Sequence, residues 1–443
     1  MSTETEIVKE DANRSSGFLS KGSASTAILA LAKGTLGAGI LFLPQKCMFT
    51  GIPLFLLLLP LCGFFTAKSL TMIAKGANYT NKFVFEEITE SLLGRGMAIT
   101  LGISMLVNCY GASIIFVIAI KGSLETLLAV VQAETGQDWP LYATLILGGL
   151  VLVPLSVVEK INSLRILTLA GVIGVFFTVA SVVYALATLG QSPTLHRDYP
   201  VVIFPGARGM MDIMNAISTV TFAFCNQFNF PQVFGELSDR SKSTVFNVAT
   251  ISTLIPLALY SFTAVAGYLC YGLDIQDNIL INFTPLIQAG AAMIYIGTIA
   301  VSLSVSMCHL LNNFPMRLSV IYFLPESHHD SKWIRYSVPL LTAVSTIAIA
   351  LLYSDLSLFL GLVGASTGSI ICYIVPAMFS MRVNCLELQQ QMDEESAVNG
   401  NKSTKLWKTF ITNPMECIMI LVGILIGVLG TFCEFYSFIE KFS

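Results

Sequence analysis

A chain of 443 residues that is 54% hydrophobic and only 12% charged, with mean hydropathy +0.75, is unlike soluble domains, in which roughly a quarter of residues are charged. It reads as a polytopic membrane protein, and its net charge of -3 gives no basic surface for a nucleic acid. The ten cysteines fall mostly inside apolar runs, without CxxC or zinc-ligand spacing. They are read as small apolar residues, and no metal or other cofactor is expected.

Residues 1–24 are polar and mixed in charge, unlike a cleavable signal peptide, and are read as a cytoplasmic tail. A hydrocarbon core of about 30 Å needs about 20 apolar residues per helix. On that basis eleven spans are expected, at about 25–45, 52–73, 97–120, 140–156, 164–188, 210–236, 245–271, 286–316, 336–354, 357–380 and 414–436. The third can extend to about residue 131 as one long helix. Residues 381–413, polar and partly acidic, read as a flexible cytoplasmic linker with room for a short amphipathic helix. Residues 414–443 carry the eleventh span and a short non-cytoplasmic C-terminus. No loop is long enough for a separate folded domain, so function is expected within the bundle of residues 25–380.

With the N-terminus cytoplasmic, 17 of the 24 lysines and arginines fall on the cytoplasmic side and five on the other. The remaining two, Lys33 and Lys68, lie within spans. That asymmetry sets the expected orientation.

The first span is interrupted. "AKGTLGAGILFLP" (32–44) holds Gly34, Gly37 and Gly39 beside a charge, Lys33, and before Pro44. Glycine and proline loosen a helix, and an ammonium at membrane depth is costly. The sixth span repeats the pattern: "FAFCNQFNFPQVFGEL" (222–237) places Asn226, Gln227 and Asn229 mid-membrane and ahead of Pro231. Amides there need partners, which an unwound segment lining a polar cavity supplies. Two interruptible spans five apart, in halves of odd span number, are the pattern of inverted-repeat transporters, whose sites lie midplane at discontinuous helices. Free N–H groups after such a break suit a carboxylate, and carbonyls before it suit a cation or an amine.

These residues resemble the amino acid/auxin permease family, most closely its vacuolar, lysosomal and proton-coupled branches. "FPQVFGELSD", "GYLCYGLDIQDNILINF", "NNFPMRLS" and "LVGASTGSIICYIVPAMF" follow in the family's order, so the resemblance runs from Ser25 to Phe435. It implies a LeuT-type 5+5 inverted repeat with discontinuous helices 1 and 6, plus an eleventh helix. It also implies secondary transport of amino acids by alternating access. In the family's alignment the residues around Cys225 and Asn226 lie in the unwound part of the sixth helix.

The expected substrate contacts are Thr35, Gly37, Ala38, Gly39, Phe222, Cys225 and Asn226, with Phe224 and Phe228 packing or gating. Close helix packing is the plainer account of small residues such as Gly37 to Gly39, as it is for Gly364/Gly368 and Gly423/Gly427. Hydrogen bonds to neighbouring helices are the lesser alternative for Asn226, Gln227 and Asn229.

The expected coupling residues are Lys33, Ser302, Ser306, His309 and Glu236. Glu236 reads equally well as a solvated helix end, and His309 as a satisfied core histidine. Lys33 lies roughly 13 Å into its span at 1.5 Å per residue. It either snorkels to the cytoplasmic surface or points at the eighth helix, near the hydroxyls of Ser302 or Ser306. In sodium-coupled members of the resembled family the matching position is an asparagine that helps bind sodium. A lysine there implies sodium-independent, proton-coupled symport, because a fixed ammonium does the work of the cation and repels sodium.

No acidic residue is evident mid-cavity, which favours neutral amino acids. The expected partners are the substrate, a coupling proton and the lipid bilayer, with the chain acting as a monomer in a vacuolar, lysosomal or plasma membrane. A sodium-coupled symporter is the alternative within this class, and a channel the alternative outside it. No selectivity-filter loop supports a channel. An enzyme would need a cluster of His, Asp or Glu at membrane depth, which these spans lack.

Overall fold

The structure is a computed structural model and describes residues 22–156, 165–190, 209–325, 332–353, 356–399 and 413–442. Most of the expected tail and residues 400–412 of the expected linker lie outside them. Every regular element among the described residues is helical. In chain order these are α1 (Ala24–Thr35), α2 (Gly39–Thr50), α3 (Ile52–Thr80), α4 (Phe85–Leu93), α5 (Arg95–Thr135), α6 (Trp139–Leu147), α7 (Arg165–Gly190) and α8 (Met210–Ala223). There follow α9 (Phe230–Glu236), α10 (Lys242–Tyr271), α11 (Ile279–Asn282), α12 (Thr284–Gln288), α13 (Ala292–Tyr322), α14 (Lys332–Leu352) and α15 (Leu356–Val363). The last are α16 (Val375–Asn399), α17 (Pro414–Leu425) and α18 (Thr431–Phe442).

Among the described residues, seven helical stretches are long and apolar enough to cross a bilayer, or eight when α1 and α2, bent by 56° at their break, count as one. Three expected spans fall short of that measure, for visible reasons. Two are short apolar helices, Trp139–Leu152 and Tyr336–Leu352. The third is divided into α8 and α9 by the residues between them. The third expected span is one 41-residue helix, α5, and so runs beyond residue 131.

Two features differ from expectation. Residues 381–399 continue helix α16 rather than form a linker, since a run such as "LELQQQMDEESA" is rich in good helix formers although it is polar. The short helix α4, nine residues with two glutamates in its first turn, is amphipathic and invisible to a 20-residue apolar window.

Glycines set the closest approaches. A Cβ at Gly174 of α7 would sit 2.4 Å from the Ala300 carbonyl oxygen of α13, and one at Gly364 would sit 2.1 Å from that of Ser218 in α8. Packing therefore accounts for Gly364, and likewise for Gly423, whose added Cβ would lie 2.7 Å from Ile374. The π-helical turns Gly364–Gly368 and Ile370–Ile374 join α15 to α16 and face the α8–α9 break. Helix α13 packs most extensively against α5 and α7, which brings it beside the α1–α2 break.

Candidate functional site

The first helix ends because its carbonyls find partners other than the next turn. The Thr35 carbonyl takes the Gly37 N–H at 2.7 Å and the Tyr260 hydroxyl at 2.5 Å. The Leu31 carbonyl takes the Asn226 side-chain amide at 2.7 Å. Helix α2 then restarts at Gly39 with Ala38 as its N-cap, a residue with no side-chain oxygen to cap the free N–H groups. The second break is pinned in the same manner. Gln227 Oε1 accepts the Asn226 N–H at 2.9 Å and the Cys372 thiol at 3.2 Å, and its Nε2 donates to Ser69 Oγ of α3 at 3.0 Å. Both breaks therefore lie where the sequence placed them.

Between them lies a cavity with about 500 Å³ of space between atoms, part of it open to solvent. Gly34, Thr35, Gly37, Ala38 and Gly39 form one wall, and Phe222, Ala223, Cys225, Phe228 and Asn229 another. Asn108, Ala112 and Phe116 of α5 and Cys308, Leu311 and Asn312 of α13 complete it. No acidic or basic side chain is among these residues. The uncapped N-terminus of α2 thus opens into a neutral cavity, a setting that suits an anionic group such as a carboxylate.

Of the seven residues expected to touch substrate, six line this cavity. Asn226 does not, which corrects that expectation. Its side chain is turned away into a clamp, donating to the Leu31 carbonyl and accepting from Asn229 Nδ2 at 2.6 Å. The Leu31 carbonyl also takes the Thr35 hydroxyl at 3.0 Å, so Asn226 adds a second side-chain donor there and ties the two breaks together. Phe224 packs edge-on against Tyr260, with ring centroids 5.6 Å apart. Phe228 lines the cavity.

Lys33 is fully buried and does not snorkel. Its ammonium donates to Leu36 O at 3.1 Å, Ser304 O at 3.2 Å and Ser304 Oγ at 2.8 Å, with Cys308 Sγ at 3.0 Å. Ser304 Oγ in turn donates to Gly171 O of α7 at 2.9 Å. No carboxylate lies within 4.0 Å of Lys33 among the described residues. The charge is thus held by oxygens and one sulfur from α13 and the end of α1, as a bound cation would be. Gly171 makes the space: a Cβ there would stand 2.4 Å from Lys33 Cε.

The serines expected beside Lys33 are corrected. Ser302 and Ser306 bond back along their own helix, to Thr298 O at 2.7 Å and Ser302 O at 2.8 Å. Ser304 is two residues from each, about 200° around a helix that turns roughly 100° per residue. It therefore takes the face toward α1.

Two further coupling candidates lie apart from this centre. His309 is fully buried on α13, its ring facing the Ser113 backbone of α5, and it is not in the cavity wall. Glu236 is exposed at the end of α9, which is the solvated helix end.

Sequence reasoning missed Tyr260, Asn108 and Asn312. The Tyr260 hydroxyl also lies 3.3 Å from Ala223 O, so one side chain touches the ends of both α1 and α8. Asn108 donates to Thr367 Oγ1 at 3.0 Å, tying α5 to the π-helical turn. Asn312 Nδ2 donates to Ser113 Oγ at 2.9 Å and to the Cys109 carbonyl. Single polar residues on long apolar helices carry no periodic signal by which to find them.

Paired broken helices around a midplane cavity define an all-helical, multi-pass membrane protein of the LeuT type. The fold is shared with solved transporters. MhsT in complex with L-phenylalanine matches with a TM-score of 0.55 at 14% identity, over 92% of this chain and 99% of that one. The Eremococcus coleocola manganese transporter, in complex with an aromatic bis-isothiourea substituted compound, matches with a TM-score of 0.53 at 12% identity, over 93% of this chain and 94% of that one.

The chain belongs to the transmembrane amino acid transporter protein family, whose model matches residues 20–395. Among its relatives, amino acid transporter AVT6E of Arabidopsis thaliana is 24% identical over 434 residues, 94% of this chain and 83% of that protein. Sodium-coupled neutral amino acid transporter 7 of Homo sapiens is 23% identical over 455 residues, 96% and 89% of the two chains.

Proposed function

We propose that this protein is a proton-coupled, sodium-independent secondary transporter of neutral amino acids that works by alternating access. The observation that carries the reading is the buried Lys33 ammonium, held by Leu36 O, Ser304 O and Ser304 Oγ between α1 and α13. An ammonium so placed supplies in fixed form the charge that a bound sodium ion would bring. Like-charge repulsion then keeps sodium out.

In this account the substrate carboxylate lies against the free N–H groups of Ala38 and Gly39 at the start of α2. Thr35, Gly37, Phe222 and Cys225 surround the rest of the amino acid. A cavity without a charged lining residue supports a neutral side chain, since burying an unpaired charge is costly.

The N-terminus is cytoplasmic in this account, from the lysine and arginine asymmetry of the sequence. The chain works as a monomer, in an acidic organelle or at the plasma membrane. Sodium-coupled symport is the competing reading, favoured by the names of relatives such as sodium-coupled neutral amino acid transporter 7. Uptake of labelled amino acids into proteoliposomes, with pH and sodium gradients imposed separately, decides between them. Uptake driven by the pH gradient alone, and competed only by neutral amino acids, is the expected result. Uptake that follows the sodium gradient and ignores pH overturns it.

A further inference from the structure

A second, smaller cavity of about 200 Å³ lies beyond Phe228, whose ring lines both spaces. Glu86, Gln232, Pro315 and Leu318 are in its wall. It therefore continues the central cavity toward α4, the short helix between α3 and α5. Glu86 is unlike the rest of that wall. It is 1% exposed, and its carboxylate accepts a hydrogen bond from the Ser319 hydroxyl of α13. No lysine, arginine or histidine lies within 4.0 Å of it among the described residues. A carboxylate buried with one hydroxyl, its own backbone N–H and no cation is poorly compensated in its ionised form.

The charged groups on neighbouring elements form no ion pair with Glu86 among the described residues. On α4 itself, Glu87 adds like charge and Glu90 accepts from the Tyr322 hydroxyl of α13 at 2.9 Å. On α5, the Cys109 thiol and Arg95 are the titratable or charged groups facing this region. Arg317 of α13 stacks over Phe314 at 5.4 Å, and Arg382 of α16 donates to Leu92 O at 3.2 Å. Lys75 of α3 pairs with Glu387 at 3.3 Å, and Lys82 precedes α4 without reaching Glu86.

We propose that Glu86 is a second proton-binding site of the transport cycle: a neutral acid that latches the inner cavity shut beneath Phe228 and ionises when that side opens to water. The proposal rests on the transport reading but not on the role given to Lys33. Burial pushes the Glu86 carboxyl above the ordinary range, the Ser319 hydroxyl and the Glu86 backbone N–H oppose that rise, and Glu87 adds to it. The closed state therefore binds the proton more tightly than the open one. By linkage, raising the pH on the α4 side favours opening and lowering it favours closure.

The test is exchange of labelled for unlabelled amino acid, which needs no net proton movement, by the full-length protein in proteoliposomes with separately buffered faces. Exchange by the unmodified protein is expected to slow several-fold as the pH on the α4 side falls. Glu86→Gln is expected to exchange slowly at every pH, and Glu86→Asp to keep the pH response. A Glu86→Gln protein that keeps the unmodified response overturns the proposal. Should Glu86→Gln fail to fold, Ser319→Ala decides: loss of the opposing hydroxyl moves the response to higher pH, and an unmoved response overturns the proposal. A merely structural role changes the yield of folded protein without moving this profile. Failure of pH-gradient-driven uptake in the unmodified protein overturns the Lys33 reading alone, and leaves the exchange profile readable.

Discussion

Removing one oxygen by Tyr260→Phe tests whether the two helix breaks are held as a unit. The hydroxyl lies 2.5 Å from Thr35 O and 3.3 Å from Ala223 O. It has one proton, which the shorter contact takes. In the variant Thr35 O keeps the Gly37 N–H at 2.7 Å, so it is weakened rather than bared. A net hydrogen bond is worth roughly 0.5–1.5 kcal/mol, and a stranded buried acceptor costs about 1–3 kcal/mol. With one acceptor still partly satisfied, the loss comes to about 1–2 kcal/mol at the low end of those ranges. The ring stays packed against Phe224, so no void adds to it. If the bond exists only while both half-helices close on substrate, that loss is roughly 5–30-fold in affinity. Equilibrium binding of labelled amino acid to the purified protein, alongside its thermal stability, reads this directly. Binding and melting both unchanged within about twofold would refute the clamp.

The remaining expectations follow the same geometry. Ser304→Ala removes an oxygen from Lys33 and should impair pH-driven uptake, whereas Ser306→Ala should leave it intact, because the Ser306 hydroxyl bonds to Ser302 O. Equal effects in the two uptake assays would contradict the assignment. Gly37→Val and Gly39→Val should abolish substrate binding in folded protein: a Cβ at Gly39 already meets Ala223 Cβ at 2.9 Å, and one at Gly37 meets Phe116 at 3.2 Å. Normal binding by either moves the site elsewhere. Asn226→Leu removes one donor from the Leu31 carbonyl, which keeps the Thr35 hydroxyl at 3.0 Å, and should lower thermal stability by about 0.5–1.5 kcal/mol while leaving the choice of substrate unchanged. A changed substrate profile at full stability would return Asn226 to the cavity wall. Asn78, exposed near the end of α3, should carry no glycan if the N-terminus is cytoplasmic, and a glycan found by mass spectrometry would reverse the orientation.

What the sequence made legible was chemistry that repeats or is costly to misplace. Glycines beside Lys33 and three amides before Pro231 are expensive in an unbroken lipid-facing helix, so both breaks could be located without coordinates. Helical phase was harder. Ser302, Ser304 and Ser306 alternate along α13, and composition alone does not say which of them turns toward α1. Asn226 sits in the break and so reads as a cavity residue, yet its amide bonds the Leu31 carbonyl of α1. Tyr260 is one aromatic residue among many on apolar α10, and its role exists only because two chain ends 188 positions apart, at Thr35 and Ala223, meet beside it. Glu86 lies on a helix too short and too amphipathic to read as a span.

The account stands or falls on whether the Lys33 ammonium takes the place of a coupling cation. The most direct measurement replaces all sodium with choline at constant pH and follows amino acid uptake by the unmodified protein and by Lys33→Ala. The unmodified protein should transport at an unchanged rate in choline and respond to a pH gradient, while Lys33→Ala should lose pH-driven uptake. Transport by the unmodified protein that stops when sodium is removed would contradict it.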